Sequence, residues 1–103
     1  MDYKLIQYRV KPEKMVENEA LIRAVFAELR EQRVQGVRYT VLRMDDGTFT
    51  HLVAADGSTG ALTSLPAFQR FQSGVRDRCA VPPATNAVHV IGNHGMLDGN
   101  HDA

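Results

Sequence analysis

The hydrophobic pattern along the chain changes period several times, and each change marks a predicted element. Four short runs, rich in β-branched and aromatic residues and bounded by turn-forming residues, predict strands. They cover residues 3–10, 37–44, 48–55 and 85–91. The second and third runs are joined by an Asp-Asp-Gly sequence, which predicts a hairpin because aspartate and glycine tolerate positive φ.

Two longer segments have the 3.6-residue period of helices. Residues 13–33 contain neither glycine nor proline, and their apolar side chains fall on one face of a helical wheel. Asn18 lies inside that apolar stripe, and Gly36 is expected to stop the helix. Residues 61–78 predict a second helix, which Pro66 either begins or kinks and which the following Val-Pro-Pro sequence ends.

The resulting order, βαββαβ, is typical of the ferredoxin-like α+β fold. It predicts a four-stranded antiparallel sheet with two helices on one face. The other face would be bare and would carry aliphatic side chains, so a second copy of the chain is expected to cover it in a homodimer. We expect this domain to span residues 1–92, with a polar, flexible C-terminal tail over residues 93–103.

The length of the hairpin loop decides which face of the sheet His51 occupies, because side chains alternate along a strand. A two-residue Asp-Gly loop would place Leu42 opposite His51. A three-residue Asp-Asp-Gly loop, with its glycine in a bulge, would place Val41 opposite His51 and Tyr39 on the same face. We predict the three-residue loop, since it gathers the bulky β-branched and aromatic residues on the face that packs against the helices.

Composition and charge exclude several classes of protein. The 103 residues suit one domain, and 12 Lys and Arg balance 12 Asp and Glu, so no net charge favours nucleic acid or a membrane surface as a partner. The single cysteine, Cys79, cannot form an internal disulfide, which fits a reducing compartment. No apolar run of ~18 residues is present, and the first residues do not resemble a signal peptide. We therefore expect a cytoplasmic protein.

A candidate site lies on the helix-facing side of the predicted sheet. Tyr39, Arg43 and His51 share that side, and Asn18 belongs to the helix that covers it. Asn18, Tyr39 and Arg43 are candidates for binding an anionic or phenolic substrate, with His51 as the catalytic acid or base. The alternative is that His51 is a packing residue with hydrogen-bonded nitrogens. Since no acidic residue shares this face, we expect burial to keep the imidazole neutral at pH 7.

Other motifs that carry chemistry are absent from the sequence. It contains no GxGxxG, P-loop, CxxC, HExxH or GxSxG pattern. The spacing of His89, His94 and His101 fits no tight metal-binding motif, so no metal is expected. The basic residues of the second predicted helix are expected to form a solvated face. They are Arg70, Arg76 and Arg78.

The segment HLVAADGSTGALTSLPAFQRFQSGVRDR combines a strand, an acidic turn and a helix that begins with LPAFQRF. It resembles the antibiotic-biosynthesis monooxygenase family, whose members are dimeric α+β barrels with two ferredoxin-like sheets facing each other. The order of elements matches over residues 3–92. The resemblance implies a homodimer that binds a small aromatic or polyketide-like compound and oxidises it as a cofactor-independent monooxygenase. A non-catalytic ligand-binding or assembly module of the same fold is the alternative.

The heme-degrading branch of that family has an asparagine on the first strand, and a tryptophan and a heme-ligating histidine on the second helix. Aligned on LPAFQRFQSGVR, these positions hold Gln7, Leu62 and Gln72 in this chain, which contains no tryptophan. A glutamine amide is a poor iron ligand compared with imidazole. The resemblance therefore argues against heme degradation and implies no cofactor.

Overall fold

Four antiparallel strands form one sheet in this computed structural model, which describes residues 2–55 and 60–97. The strands are β1 (Asp2–Val10), β2 (Val37–Arg43), β3 (Thr48–Ala55) and β4 (Cys79–Val88). They lie side by side in the order β2-β3-β1-β4. The two strands that are central in space, β1 and β3, therefore have a neighbour on each side.

The helices lie together on one face of this sheet. A 3-10 turn (Pro12–Lys14) leads into α1 (Met15–Glu31), and the second predicted helix is divided into α2 (Gly60–Thr63), α3 (Pro66–Ser73) and α4 (Val75–Arg78). Proline at the start of α3 and glycine after it explain the division, because neither residue continues a helix well. The sheet and helices share one apolar core, and the predicted ferredoxin-like α+β fold is confirmed.

Helix α1 ends before the glycine that the sequence suggests as its stop. Arg33 takes a left-handed φ of 51°. The Val34 amide donates to the Leu29 carbonyl at 3.1 Å, and the Arg33 amide donates to the Arg30 carbonyl at 3.2 Å. These two bonds form a Schellman ending, in which the left-handed position is usually held by glycine. Here an arginine holds it, so the helix ends close to the predicted residue 33 but without the help of Gly36.

The predicted position of the last strand is wrong. β4 begins at Cys79 rather than near Thr85, and it contains Pro82 and Pro83, which were expected only to end the preceding helix. The edge position of β4 accounts for one proline, because an amide that points away from the sheet needs no partner. The amide of the neighbouring residue points the other way, and the second proline is accommodated where the pairing with β1 is interrupted. The register against β1 shifts twice at this point. His89, which the prediction put in this strand, lies beyond its end and is exposed.

The hairpin between β2 and β3 has the predicted three-residue loop. Gly47 takes a φ of 89°, and the Met44 amide donates to the Thr48 carbonyl at 2.8 Å. Val41 is paired with His51 across the two strands. The predicted register is therefore confirmed, and His51 lies on the face that the helices cover.

The opposite face of the sheet has no helix over it in the described part of the chain. Leu5 and Leu52 are neighbours at its centre, and Leu42, which is 62% exposed, lies towards one edge. We call this side of the sheet, opposite the helices, the open face. No helix within residues 2–55 and 60–97 is both long enough and apolar enough to cross a membrane.

The predicted boundary between domain and tail is only partly covered by the structure. Residues 89–97 contain neither helix nor strand, and the Arg38 guanidinium donates to the Leu97 carbonyl at 3.4 Å. Residues 98–103 lie outside the described residues. The flexible tail over residues 93–103 therefore stays a prediction.

We expect Gly47→Ala to lower the free energy of unfolding by about 1–3 kcal/mol, because a residue with a Cβ is strained at this positive φ. The added Cβ would also lie 3.2 Å from Met15 Cε and 3.3 Å from the Val10 carbonyl oxygen. Urea denaturation measures the loss. Gly92→Ala is the control, because a Cβ at Gly92 would meet no atom within 4 Å. Equal losses in the two variants would contradict a role for the bulge.

Candidate functional site

His51 lies within the core and is hydrogen-bonded at both ring nitrogens. Its side chain is 4% exposed. Nε2 lies 2.8 Å from the Tyr8 hydroxyl, and Nδ1 lies 2.7 Å from the Tyr39 hydroxyl. The two tyrosines come from β1 and β2, which flank β3, and each is a diagonal neighbour of His51 on the same face. The strand register thus brings the three rings together.

Aromatic stacking fixes the position of each phenol. The Tyr8 ring stacks on Phe49, with ring centres 5.6 Å apart and planes inclined by 7°. The Tyr39 ring stacks on Phe26 of α1, with ring centres 5.0 Å apart and planes inclined by 12°. Rings held in this way keep their hydroxyl groups aimed at His51.

The hydrogen-bonded network continues from Tyr8 into the helix layer. Asn18 Nδ2 donates to the Tyr8 hydroxyl at 3.0 Å, and Arg78 Nε donates to Asn18 Oδ1 at 2.9 Å. Arg78 Nη2 also donates to the Phe71 carbonyl at 2.7 Å. The polar residue inside the apolar stripe of α1 is thereby explained: its amide joins a guanidinium to a phenol. We call Arg78, Asn18, Tyr8, His51 and Tyr39 the core network.

The expectation that Arg78 is solvated is wrong, since its side chain is buried and 3% exposed. Gly74, one helical turn earlier, leaves room for the guanidinium: a Cβ there would lie 3.0 Å from Arg78 Nη1. Within the described residues Arg78 forms no salt bridge. The core network therefore contains one buried positive charge that no carboxylate neutralises.

Arg43 shares the sheet face of His51 but lies outside the core network. Its Nε is 2.9 Å from Glu19 Oε2, and its side chain is 39% exposed. It borders a separate opening of about 550 Å³ between α1 and β2. Four residues were suggested for a site from the sequence. Asn18, Tyr39 and His51 belong to one hydrogen-bonded network, and Arg43 does not.

Two members of the core network, Tyr8 and Arg78, are not among the residues that the sequence suggests for a site. Alternation along β1 could have placed Tyr8 on the helix-facing side together with Val10, because both are buried there. Arg78 gave a weaker signal, namely the glycine four residues before it. Neither signal reveals a hydrogen bond, because the partners are far apart in the sequence.

A cavity of about 450 Å³ lies beside the core network, between the sheet and the helices α3 and α4. Tyr8, Tyr39 and His51 form part of its wall. The apolar part of the wall is formed mainly by side chains of the sheet and of α2 and α3. They are Ile6, Val53, Leu62, Phe68 and Phe71. An apolar cavity with polar groups gathered at one place is typical of small-molecule sites.

Leu62 and Gln72 both border this cavity. They occupy the positions that align with the tryptophan and the heme-ligating histidine of the heme-degrading branch. Neither side chain offers the imidazole that the heme-degrading branch uses as a ligand. Within residues 2–55 and 60–97 no three His, Cys, Asp or Glu side chains form a group that could hold a metal ion. His101 lies outside the described residues.

Burial sets the protonation states in the core network. It lowers the pKa of His51 to about 4, which agrees with the neutral imidazole expected at pH 7. Burial raises the pKa of Tyr8, although the hydrogen bond from Asn18 acts in the opposite direction. Burial also raises the pKa of Tyr39, and the neighbouring Tyr8 adds to the effect. At neutral pH the two phenols and the imidazole are therefore uncharged.

The ferredoxin-like α+β fold of this chain is similar to that of structures named as proposed antibiotic biosynthesis monooxygenases, which confirms the resemblance at the level of the fold. One such protein, from Nitrosomonas europaea, is proposed to have that activity. It superimposes with a TM-score of 0.72 at 18% identity, over 89% of this chain and 100% of its own.

Two further structures carry the same proposed activity in their names. The protein from Caulobacter crescentus has a TM-score of 0.68 at 17% identity, over 88% of this chain and 90% of its own. The protein from Deinococcus radiodurans has a TM-score of 0.66 at 14% identity, over 94% of this chain and 99% of its own. No family model and no curated protein matches this sequence. At these identities the similarity establishes the fold alone.

We expect His51 to make the protein less stable in acid. Its pKa falls from 6.5 to about 4 on folding, so the unfolded chain binds the proton more tightly. The stabilising contribution is complete above the unfolded pKa and is lost as the pH falls towards the folded pKa. Between pH 7 and pH 5 the loss is about 2 kcal/mol. Urea unfolding at both pH values measures it.

Two variants separate His51 from the other groups that titrate in this range. His51→Gln should lose this part of the pH dependence, whereas His94→Gln, which changes an exposed histidine, should keep it. NMR titration of the histidine ring protons gives an independent measurement. A charged His51 at pH 7 would contradict the electrostatic argument.

Proposed function

We propose that this protein binds a small aromatic or polyketide-like compound in the 450 Å³ cavity and oxidises it as a cofactor-independent monooxygenase. The observation that carries the proposal is the wall of the cavity, in which Tyr39 and His51 lie among aromatic and aliphatic side chains. The apolar part suits a planar aromatic body, and the polar part suits an oxygen atom attached to it. The fold shared with the named monooxygenases supports the reaction type by analogy.

The proposed reaction needs only the substrate and O2. An aromatic ketone with an acidic CH2 group loses a proton to solvent and becomes an enolate. The enolate gives electrons to O2, forms a new C–O bond and takes up a proton from solvent, which gives a hydroperoxide. Loss of water from the resulting hydroperoxide leaves C=O where CH2 stood, so one oxygen atom enters the product and the other leaves in water. The substrate supplies all four electrons, and the protein's task is to stabilise the anion.

The geometry assigns different roles to the candidate residues. His51 is a weak proton acceptor, because its pKa is about 4 and both of its nitrogens are hydrogen-bonded. It therefore serves as a positioning residue that orients Tyr39, and the Tyr39 hydroxyl is the group that contacts the substrate oxygen. Asn18 acts through Tyr8. Arg43 borders the other opening and has no part in this proposal.

We expect Tyr39→Phe to reduce kcat/KM for anthrone about 10²–10³-fold, which is typical for the loss of one donor to a developing oxyanion. Anthrone is a tricyclic ketone with an acidic CH2 group, and its oxidation consumes one O2 per molecule. An oxygen electrode follows the reaction after treatment of the protein with EDTA. Tyr3→Phe is the matched control, because Tyr3 pairs with Ala54 and so lies on the open face.

Two results would contradict the proposed reaction. One is a rate with Tyr39→Phe equal to that of the unmodified protein. The other is a reaction that depends on an added metal ion or flavin. Binding of anthrone without turnover, detected by calorimetry, would instead support the non-catalytic ligand-binding module.

We also propose that the open face forms a homodimer. Leu5, Leu42 and Leu52 lie on this face, and an exposed apolar sheet surface is a common site of association. Light scattering should give twice the chain mass of 11.4 kDa. Leu52→Glu should shift the mass towards one chain. Val16→Glu alters an 83% exposed residue on α1 and should leave the dimer intact. A monomer that persists at high concentration would argue against this arrangement.

A further inference from the structure

The donors and acceptors of the core network can be assigned from its charged end. The Arg78 guanidinium has only donors, so the atom of Asn18 that faces it must be the amide oxygen. The Asn18 NH2 group therefore faces Tyr8 and donates to its hydroxyl oxygen.

The assignment continues through Tyr8 to His51. The Tyr8 hydroxyl accepts a hydrogen bond from Asn18 and has one hydrogen of its own to donate. Within the described residues, the remaining partner of this hydroxyl is His51 Nε2 at 2.8 Å. Tyr8 and Tyr39 both border the cavity, but Tyr8 is only 2% exposed, whereas Tyr39 is half-buried. If Nε2 carried the hydrogen instead, two donors would point at one phenol oxygen, and the hydrogen without an acceptor would be that of the more deeply buried Tyr8. That arrangement is costly in a core, so Tyr8 donates and Nε2 accepts.

A neutral imidazole has one N–H group, which must then be on Nδ1. Nδ1 lies 2.7 Å from the Tyr39 hydroxyl and donates to its oxygen. The Tyr39 hydrogen finds no acceptor among residues 2–55 and 60–97, and Tyr39 borders the cavity. The hydrogen is therefore available to a ligand.

Electrostatics in the core network favours the same kind of ligand. Arg78 is a buried positive charge without a carboxylate partner in the described part of the chain. Hydrogen bonds that run in one direction polarise one another, so each link strengthens the next donor. Arg76 and Asp77 also border the cavity, but they are exposed and carry opposite charges.

We infer that the core network is a one-way chain of donors, from Arg78 through Asn18, Tyr8 and His51 to Tyr39, which makes the cavity selective for an oxygen anion, such as a phenolate or an enolate. This inference rests on the proposed function, in which an anion is stabilised, and adds to it the direction of the hydrogen bonds that select the anion and the residue that sets this direction. Asn18 becomes a specificity-determining residue, although it does not touch the ligand.

A single substitution should reverse the direction of the hydrogen bonds in the core network. In Asn18→Asp the new carboxylate can only accept, so Tyr8 must donate to it and must accept from His51. The His51 hydrogen then moves to Nε2, and Tyr39 donates to Nδ1. The Tyr39 oxygen is left as an acceptor at the cavity wall, which favours a neutral phenol over a phenolate. The carboxylate also pairs with Arg78, so the variant is expected to remain folded.

The ¹⁵N chemical shifts of the His51 ring test the direction of the hydrogen bonds in the core network without any ligand. We expect N–H on Nδ1 in the unmodified protein and on Nε2 in Asn18→Asp. Gln35→Glu is the control: it makes the same amide-to-acid change at an exposed loop residue and should leave the hydrogen on Nδ1. A hydrogen on Nε2 in the unmodified protein would overturn the inference.

The colour of 4-nitrophenol tests the ligand class, because its phenolate absorbs visible light and its neutral form does not. At the pH where the free probe is half ionised, the bound probe should be phenolate in preference to phenol by about tenfold or more. Tyr39→Phe should abolish the preference, and Asn18→Asp should reverse it. Bound 4-nitrophenol that remains neutral would overturn the inferred preference of the cavity for an anion.

Binding of 4-nitrophenol and oxidation of anthrone together distinguish a failure of this inference from a failure of the proposed function. Binding of phenolate and phenol with equal affinity, beside normal oxidation of anthrone, would overturn the inference and leave the proposed function standing. Preferential binding of the phenolate without any oxidation of anthrone would support the inference and count against the monooxygenase. If Asn18→Asp does not fold, the His51 hydrogen in the unmodified protein and the effect of Tyr39→Phe still decide the question.

Discussion

A buried imidazole is stable in a protein core only when both of its nitrogens have hydrogen-bond partners. The other residues of the site are placed so that they meet this requirement. His51 meets it with two phenols from the strands on either side of β3. The arrangement needs His51 to point towards the helices, which depends on the one-residue bulge at Gly47. A loop shorter by one residue would turn the other face of β3 towards the helices and separate His51 from both tyrosines.

The second constraint is the buried charge of Arg78. A guanidinium in a core needs acceptors, and here the Asn18 amide oxygen accepts from Nε and the Phe71 carbonyl accepts from Nη2. Because these acceptors are neutral, the positive charge is not cancelled and acts through the network on the neighbouring cavity. A carboxylate beside Arg78 would have stabilised the charge more simply, but it would have removed the electrostatic preference for an anion.

The two faces of the sheet divide the proposed roles of the protein. The helix-covered face holds the core network and the cavity. The open face carries aliphatic side chains that suit contact with another sheet. Since neighbouring residues of one strand point to opposite faces, a change at Leu52 and a change at His51 should affect association and ligand binding separately.

The sequence by itself determined the order of elements, the three-residue hairpin loop, the face of His51 and its neutral state. These features follow from local periodicity, from the chemistry of the Asp-Asp-Gly turn and from the lack of acids nearby. The tertiary structure alone decided that β4 accepts two prolines, because only the sheet makes it an edge strand and interrupts its pairing with β1. It also decided the core network, since Asn18 and Arg78 are 60 residues apart and no local pattern shows which buried polar groups will meet.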